Sequence, residues 1–315
     1  MRPAPRTNSR VYECLLAALM SILLALAWWL DPDFVAPATQ LALSNHIVEL
    51  ALVAIPMTLI IVTGGIDLSV GSTMALSSVV MGLAFDAGAP FPLVCISALL
   101  TGTLAGLLNG LFIARLSIHP LIVTLATLAA YRGLAEGLSK GRPFSGFPEG
   151  FLAIGSGDWL QVPILVWLLL LLLLLSALII RRTTIGLWIY AAGGSQTAAH
   201  YSGVPVAQLR LALYTLAGAA AGLAAIFFAA RFNTAKADVG AGLELSVITA
   251  VVLGGTSIFG GRGTLLGAML GVAIIHEIGQ LVSWKWDQQE LVQVVTGSIL
   301  VLAVLVHNIF SRRTH

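Results

Sequence analysis

The stretch WLQVPILVWLLLLLLLLSALII, residues 159–180, decides the fold class because it contains no charged side chain. A helix needs about 17–25 apolar residues to cross a bilayer core of about 30 Å, and this stretch is long enough. The rest of the chain shares the bias. Of its 315 residues, 58% are hydrophobic and 10% are charged, whereas a soluble domain carries roughly 25% charge. We therefore predict an all-α integral membrane protein.

With the other apolar runs, this stretch predicts about ten transmembrane helices in one polytopic domain covering residues 1–315. The other uncharged runs are 14–30, 50–66, 68–85, 87–114, 116–131, 211–230, 245–261 and 291–311. One more run, 263 to about 283, is interrupted only by Glu277. The first run ends at Trp28 and Trp29 without a small-residue cleavage site, so we interpret it as a retained helix rather than a signal peptide. The remaining loops leave no room for a soluble domain.

The charge distribution predicts that both chain termini lie in the cytoplasm. With ten spans and an inner N-terminus, most basic residues fall in inner loops, as the positive-inside rule requires. They are Arg2, Arg6, Arg10, Arg115, Arg181, Arg182, Arg210, Arg262, Arg312 and Arg313. Only Glu13 and Asp67 among the acidic residues lie near that side. The same orientation places residues 140–161 on the outer face.

One polar segment between two apolar runs, AAGGSQTAAHYSGVP at 191–205, predicts a cytoplasmic docking site covering about 186–207. It is rich in glycine and contains no acidic residue. Its small residues suit close contact with another protein: Gly193, Gly194, Ala198, Ala199, Ser202 and Gly203. In particular, we expect Ala198 and Ala199 to present methyl-sized surfaces. A short helix should end at Gly203 in a left-handed conformation, because Pro205 prevents it from continuing.

Two glycine-rich turns resemble each other, namely VTGGIDLSVGS at 62–72 and VVLGGTSIFGGRGT at 251–264. In each, an apolar helix is expected to stop at a glycine pair and another to start soon after. Asp67 or Ser69 could cap the second helix of the first turn. The likeness raises the possibility of an internal repeat, a common plan in transporters. We expect a translocation or gating role for Gly64, Gly65, Asp67, Ser69, Gly254, Gly255, Gly260 and Gly261.

Several kinds of chemistry find no support in the sequence. It contains no GxxxxGK[ST] phosphate loop, no HExxH and no paired CxxC. Cys14 and Cys95 lie in apolar runs, and we interpret both as buried core residues, with no disulfide and no metal site. Glu49 and Glu277 are the candidates for an ion-coupling carboxylate within the bilayer. An ion-coupled secondary carrier and an integral-membrane enzyme therefore remain as alternatives to a permease driven by a partner.

Arg132 and the small residues of the later spans have two interpretations each. Arg132 is expected near the outer end of its helix, where it either snorkels to lipid headgroups or lines a possible outer mouth. Gly263, Gly267 and Gly271 form a GxxxGxxxG face, which favours close helix packing over a substrate path.

Four motifs in order resemble the ribose-type permeases of bacterial ABC importers: TGGIDLSVGS (63–72), LIVTLATLAAYRGLA (121–135), AAGGSQTAAHYSGVP (191–205) and VVLGGTSIFGGRGT (251–264). The resemblance covers about residues 45–310. The resemblance extends to the branch of the family that transports the signal molecule autoinducer-2. It implies a pore subunit in the bacterial inner membrane that imports a monosaccharide or this signal and is not itself an enzyme.

The same resemblance implies the partners. A cytoplasmic ATPase would bind ATP, so no cofactor is expected in this chain. A periplasmic binding protein would deliver substrate, and a second permease copy, identical or merely similar, would complete the pore. Lipid would surround the spans, and no nucleic acid is expected. The coupling helix would lie in 191–205, where Ser195 and His200 replace the family's usual asparagine and arginine.

Overall fold

The computed structural model describes residues 9–286 and 288–312, and these are mainly helical. The helices are α1 (Ser9–Leu30), α2 (Pro37–Ser44), a 3₁₀ turn (Asn45–Ile47), α3 (Val48–Val62), α4 (Val70–Asp86), α5 (Phe91–Arg115), α6 (Pro120–Ser139), α7 (Glu149–Ser156), α8 (Ile164–Arg182), α9 (Thr184–Gly194), α10 (Gln196–Tyr201), α11 (Val206–Phe232), α12 (Leu243–Leu253), α13 (Leu265–Trp286) and α14 (Gln289–Arg312). The all-α membrane class is confirmed. Arg2, Arg6 and Arg313 lie outside the described residues.

Seven segments in the described part are long and apolar enough to cross a membrane. They are Val11–Leu30, Pro37–Val62, Phe91–Arg115, Pro120–Ser139, Ile164–Arg182, Val206–Phe232 and Leu265–Trp286. Three shorter apolar helices accompany them, at Val70–Asp86, Leu243–Leu253 and Glu290–Ala303. Helix α12 ends at Leu253, directly before Gly254, so the predicted stop at the glycine pair is confirmed. The uncharged run continues beyond this point to residue 261.

Two short antiparallel pairs of strands connect the helices. Strand β1 (Phe144–Ser145) follows α6 and pairs with β4 (Thr234–Ala235), which follows α11. Strands β2 (Asp158–Trp159) and β3 (Val162–Pro163) form a hairpin before α8. The first pair joins distant parts of the chain, and Asn233 reinforces it by accepting hydrogen bonds from the amides of Gly146 and Phe147 at 3.1 and 3.0 Å.

Helix α3 lies at the centre, with every residue from Val48 to Val62 buried. Buried side chains of α4, α11, α12 and α13 belong to the same hydrophobic cluster. A helix that is apolar all round is expected in such a position, since it has no face for water or lipid. The expected burial of the two cysteines was wrong, because Cys14 is exposed on α1 and Cys95 is half-buried on α5.

Helices α5 and α11 pack backbone to backbone through glycine. Gly102 and Gly106 of α5 face Gly218 and Gly222 of α11, and a Cβ added at Gly218 would lie 2.7 Å from the amide nitrogen of Gly106. Small residues permit this close approach of two helices. The close-packing interpretation also holds at the GxxxGxxxG face, because a Cβ added at Gly267 would overlap the carbonyl oxygen of Gly254.

A Gly218→Ala substitution should therefore destabilise the protein. Overpacking of a filled interface costs about 1–3 kcal/mol, because the added methyl group meets backbone that cannot rotate away. Gly133→Ala is the matched control, since it also lies inside a helix but its Cβ would meet nothing within 4 Å. Thermal unfolding in detergent should show a lower midpoint for Gly218→Ala alone. Equal midpoints for the two variants would contradict the packing described here.

Candidate functional site

The segment predicted to dock a partner forms two short helices between α8 and α11. Helix α9 follows Arg182 after one extended residue, and α10 follows α9 after Ser195. Ser195 starts α10 in an extended conformation, and its hydroxyl accepts a hydrogen bond from the amide of Ala198 at 3.2 Å. A serine side chain in this position satisfies one of the free amides of the first helical turn. The residue that departs from the family pattern is thus a working helix cap.

Helix α10 ends as predicted, at a left-handed glycine. Gly203 has φ of +82°. The amide of Val204 donates to the carbonyl of Ala199 at 3.0 Å, and the amide of Gly203 donates to that of His200 at 3.0 Å. These two bonds define a Schellman motif, which closes a helix by satisfying its last carbonyls. The position of Gly203 is therefore confirmed, and α10 is closed at both ends.

Most of α10 is exposed, but one predicted contact residue is not. Tyr201 is 86% exposed, while Ala199 is only 4% exposed. Between residues 194 and 203 the other exposed positions are Gly194, Ser195, Gln196, Thr197, Ala198, His200, Ser202 and Gly203. The prediction that Ala199 presents a methyl group to a partner was wrong, because its side chain faces the protein interior. Ala198 and Tyr201 belong to the face that a partner could reach.

Gly193 also faces the protein interior. A Cβ there would overlap the carbonyl oxygen of Val62 and lie 2.6 Å from the amide nitrogen of Gly261. Its small size therefore serves packing within this chain and not docking of another protein. Gly194, by contrast, has nothing within 4 Å of an added Cβ.

The two glycine-rich turns have the same local geometry with a shift of one residue. After α3, Gly64 has φ of +80° and the amide of Gly65 donates to the carbonyl of Ile60 at 3.0 Å. After α12, it is Gly255 that has φ of +88°, and the amide of Thr256 donates to the carbonyl of Val251 at 3.2 Å. Both are Schellman motifs. The left-handed residue is the first glycine of one pair and the second of the other.

The α9–α10 segment and both turns meet at one point. The carbonyl of Val62, at the end of α3, accepts a hydrogen bond from the amide of Gly261 at 2.8 Å. Gly193 lies against both groups. One helical turn earlier, the hydroxyl of Tyr190 donates to the carbonyl of Gly263 at 2.8 Å. Partial burial raises the pKa of the Tyr190 hydroxyl, which keeps it neutral and able to donate.

Asp67 and Ser69 form a buried polar network and not the predicted cap. One carboxylate oxygen of Asp67 accepts from the amide of Ser69 at 2.9 Å and from its hydroxyl at 2.7 Å. The helix cap was wrong, because Ser69 begins α4 without a side-chain bond to the first amides of that helix. The Ser69 hydroxyl instead accepts from the amide group of Asn109 on α5 at 2.8 Å. Tyr131 on α6 lies next to Asn109, 3.4 Å from its amide oxygen.

Arg132 binds the backbone of a distant segment of the chain. Its guanidinium donates to the carbonyls of Ala237 and Val239, and the latter bond is 3.1 Å long. These carbonyls belong to the non-helical segment 233–242, which runs beside α4 before α12 begins. Non-helical backbone within a membrane protein requires such partners. Sequence reasoning missed this contact because α6 and segment 233–242 are about 100 residues apart in the sequence.

A buried ion pair joins Glu49 of α3 to Arg231 of α11 at 3.0 Å. The guanidinium of Arg231 also donates to the carbonyl of Asn45. Glu49 was a candidate for ion coupling, and the structure gives its charge a partner. Removing one member of such a pair leaves an uncompensated buried charge, which costs about 3–5 kcal/mol. Loss of transport in a Glu49→Gln variant would therefore not distinguish ion coupling from misfolding.

The fold and these contacts define a class of protein. It is a polytopic helical membrane protein in which a short helical segment packs against two glycine-rich turns. Residues 41–304 match the family model described as "Branched-chain amino acid transport system / permease component". This chain belongs to that permease family. It is a multi-pass protein of the inner membrane and the transmembrane subunit of an ABC importer.

Several curated relatives share one name. The autoinducer 2 import system permease protein LsrD of Escherichia coli (strain K12) is 32% identical over 300 residues, which is 93% of this chain and 91% of the relative. The LsrD proteins of Shigella flexneri and Escherichia coli O157:H7 match to the same extent. No solved structure matches this chain.

Substitution of Ser195 tests whether its side chain holds α10 together. Ser195→Ala should weaken the helix by about 1 kcal/mol, whereas Ser195→Asn should preserve it, since asparagine and serine cap equally well. Hydrogen exchange at residues 198–201 should accelerate severalfold in the alanine variant alone. If alanine and asparagine behave alike, the Ser195 hydroxyl does not stabilise α10.

Proposed function

We propose that this permease forms one half of an import pore and that a separate ATPase docks on α9 and α10. The single observation that carries the docking proposal is the geometry of α10, a short capped helix whose face with Ala198 and Tyr201 is exposed. A membrane protein gains little by exposing such a helix unless it binds something. The family supports an ATPase and a periplasmic binding protein as partners.

The proposed substrate is a monosaccharide or the sugar-derived signal autoinducer-2. The names of the relatives support autoinducer-2 as the substrate. The four motifs shared with the ribose-type permeases support either a monosaccharide or autoinducer-2. ATP would be bound by the partner, so this chain would carry no cofactor. A second permease, identical or similar, would complete the pore. We expect Arg132 near its outer entrance, where it positions segment 233–242.

The proposed topology has ten spans, both termini in the cytoplasm and an internal repeat. The seven long helices together with the three short ones supply that number of apolar segments. The matching helix ends at Gly64 and Gly255 support the repeat. In this orientation α9, α10 and both glycine-rich turns lie at the cytoplasmic face.

The orientation can be measured with single cysteines in a chain whose own cysteines have been replaced by serine. Ser195 is exposed on the proposed cytoplasmic face, and Ser145 is exposed on the opposite one. In intact spheroplasts, an impermeant thiol reagent should label Ser145→Cys and spare Ser195→Cys, because only the first faces the medium. The reverse pattern would overturn the orientation.

The docking proposal predicts that Ala198→Trp abolishes ATP-driven uptake while leaving membrane insertion intact. The indole would project from the exposed face of α10 and keep the ATPase away. Ala199→Trp is unsuitable, since it would disrupt the interior of the permease. Leu116→Trp is the control, because Leu116 is exposed beside Arg115 on the same proposed face but outside the docking segment. The measurements are co-purification of the ATPase and uptake into vesicles.

Three results would contradict the proposed function. Normal ATPase binding and uptake in Ala198→Trp would show that α10 is not the docking helix. Uptake by the purified chain without any ATPase, driven by an ion gradient, would favour the secondary carrier instead. Robust ATP hydrolysis by the purified chain alone would also contradict a separate energy source.

A further inference from the structure

Three segments that are far apart in the sequence touch through backbone atoms at one point. They are the end of α9, the end of α3 and the turn before α13. The Val62 carbonyl holds the Gly261 amide at 2.8 Å, and Gly193 lies against both without an intervening side chain. We name this the glycine junction, defined by Val62, Gly193 and Gly261. The Tyr190 hydroxyl on the Gly263 carbonyl adds a second bond to the same turn.

We propose that Gly193 and Tyr190 are positioning residues that transmit movement of the docking segment to both glycine-rich turns at once. The proposal rests on the proposed function in taking α9–α10 as the docking site. It goes further by identifying the route through which docking reaches the transmembrane helices. Neither residue is expected to contact the ATPase or the substrate.

The contact is stiff because it contains only backbone. Side chains absorb small displacements by changing rotamer, whereas two backbones in contact have no such freedom. Gly193 and Tyr190 lie on one face of α9, three residues apart. A shift of α9 therefore displaces the carbonyl end of α3 and the turn leading into α13 together, and neither turn can stay in place alone.

From the first turn the route continues to α11 and α5. The hydroxyl of Tyr214 on α11 donates to the carbonyl of Ile66 at 3.3 Å, and a Cβ at Gly65 would lie 2.6 Å from that hydroxyl. Ser69 in the same turn is bonded to Asn109 of α5. The turn is thus held by the pair of helices that pack through glycine. Movement of the glycine junction has a defined path into the membrane-embedded part.

A purely structural role for these residues predicts a different result from a positioning role. If Gly193 and Tyr190 only stabilise the fold, altering them lowers the amount of intact complex, and each remaining complex works normally. If they transmit movement, the complex assembles and hydrolyses ATP, but less substrate crosses per ATP. The ratio of uptake to hydrolysis separates the two roles.

The experiment compares Gly193→Ala, Tyr190→Phe and the control Gly137→Ala in proteoliposomes with the ATPase and the binding protein. Gly193→Ala adds a methyl group against the Val62 carbonyl, and Tyr190→Phe removes only the oxygen that reaches Gly263. Gly137→Ala adds the same methyl group on α6, outside the docking segment, where nothing lies within 4 Å. Substrate uptake and ATP hydrolysis are measured in the same vesicles.

We expect the uptake-to-hydrolysis ratio to fall about five- to tenfold in Gly193→Ala, within the range of coupling between two sites. Tyr190→Phe should give a smaller decrease in the same ratio, and Gly137→Ala should equal the unaltered chain. Unchanged ratios in Gly193→Ala and Tyr190→Phe would overturn the proposal, as would an equal decrease in Gly137→Ala. If Gly193→Ala does not assemble, Tyr190→Phe decides, because it introduces no overlap.

Failure of the proposed function would look different. In that case the unaltered chain would not bind the ATPase or couple its hydrolysis to uptake. The proposal about the glycine junction would then fall with it. A functional unaltered complex whose ratio is insensitive to Gly193 and Tyr190 overturns the glycine junction alone.

Discussion

The hydrogen bond between the Val62 carbonyl and the Gly261 amide is the interaction on which one end of this protein depends. It satisfies a carbonyl that the end of α3 would otherwise leave without a partner. It also fixes the distance between two helix pairs, α3–α4 and α12–α13. Gly193 covers this bond, so that α9 can approach only because its residue there has no side chain. The α9–α10 segment, the two turns and the central helix thus share a single constraint.

Local rules predicted the ends of the helices well. The left-handed positions of Gly64, Gly255 and Gly203 follow from glycine placed after an apolar or small-residue helix, and no distant contact is needed to explain them. The uncharged run 245–261 alone would have made α12 too long, because such a run reports compatibility with lipid and continues through the turn. The glycine pair inside the run marked the end of the helix.

The orientation of single residues in the docking segment could not be predicted. A helix as short as α10 shows too little hydrophobic periodicity to reveal which face is buried, so Ala199 looked the same as Ala198. Gly193 posed the same difficulty, because a small residue suits contact with a partner and contact within the chain equally. The Glu49–Arg231 pair and the Arg132 contacts join elements distant in sequence, and such pairings leave no local pattern. Only the three-dimensional structure brings them together.

The glycine contacts between α5 and α11 restrict how this sequence can evolve. In an ordinary core, a larger residue on one helix can be accommodated by a smaller one opposite. Gly102, Gly106, Gly218 and Gly222 face one another, so the opposite residue is already the smallest that exists. No second substitution can restore the fit after one of them is enlarged. These four positions should stay glycine even where the substrate and the docking partner diverge.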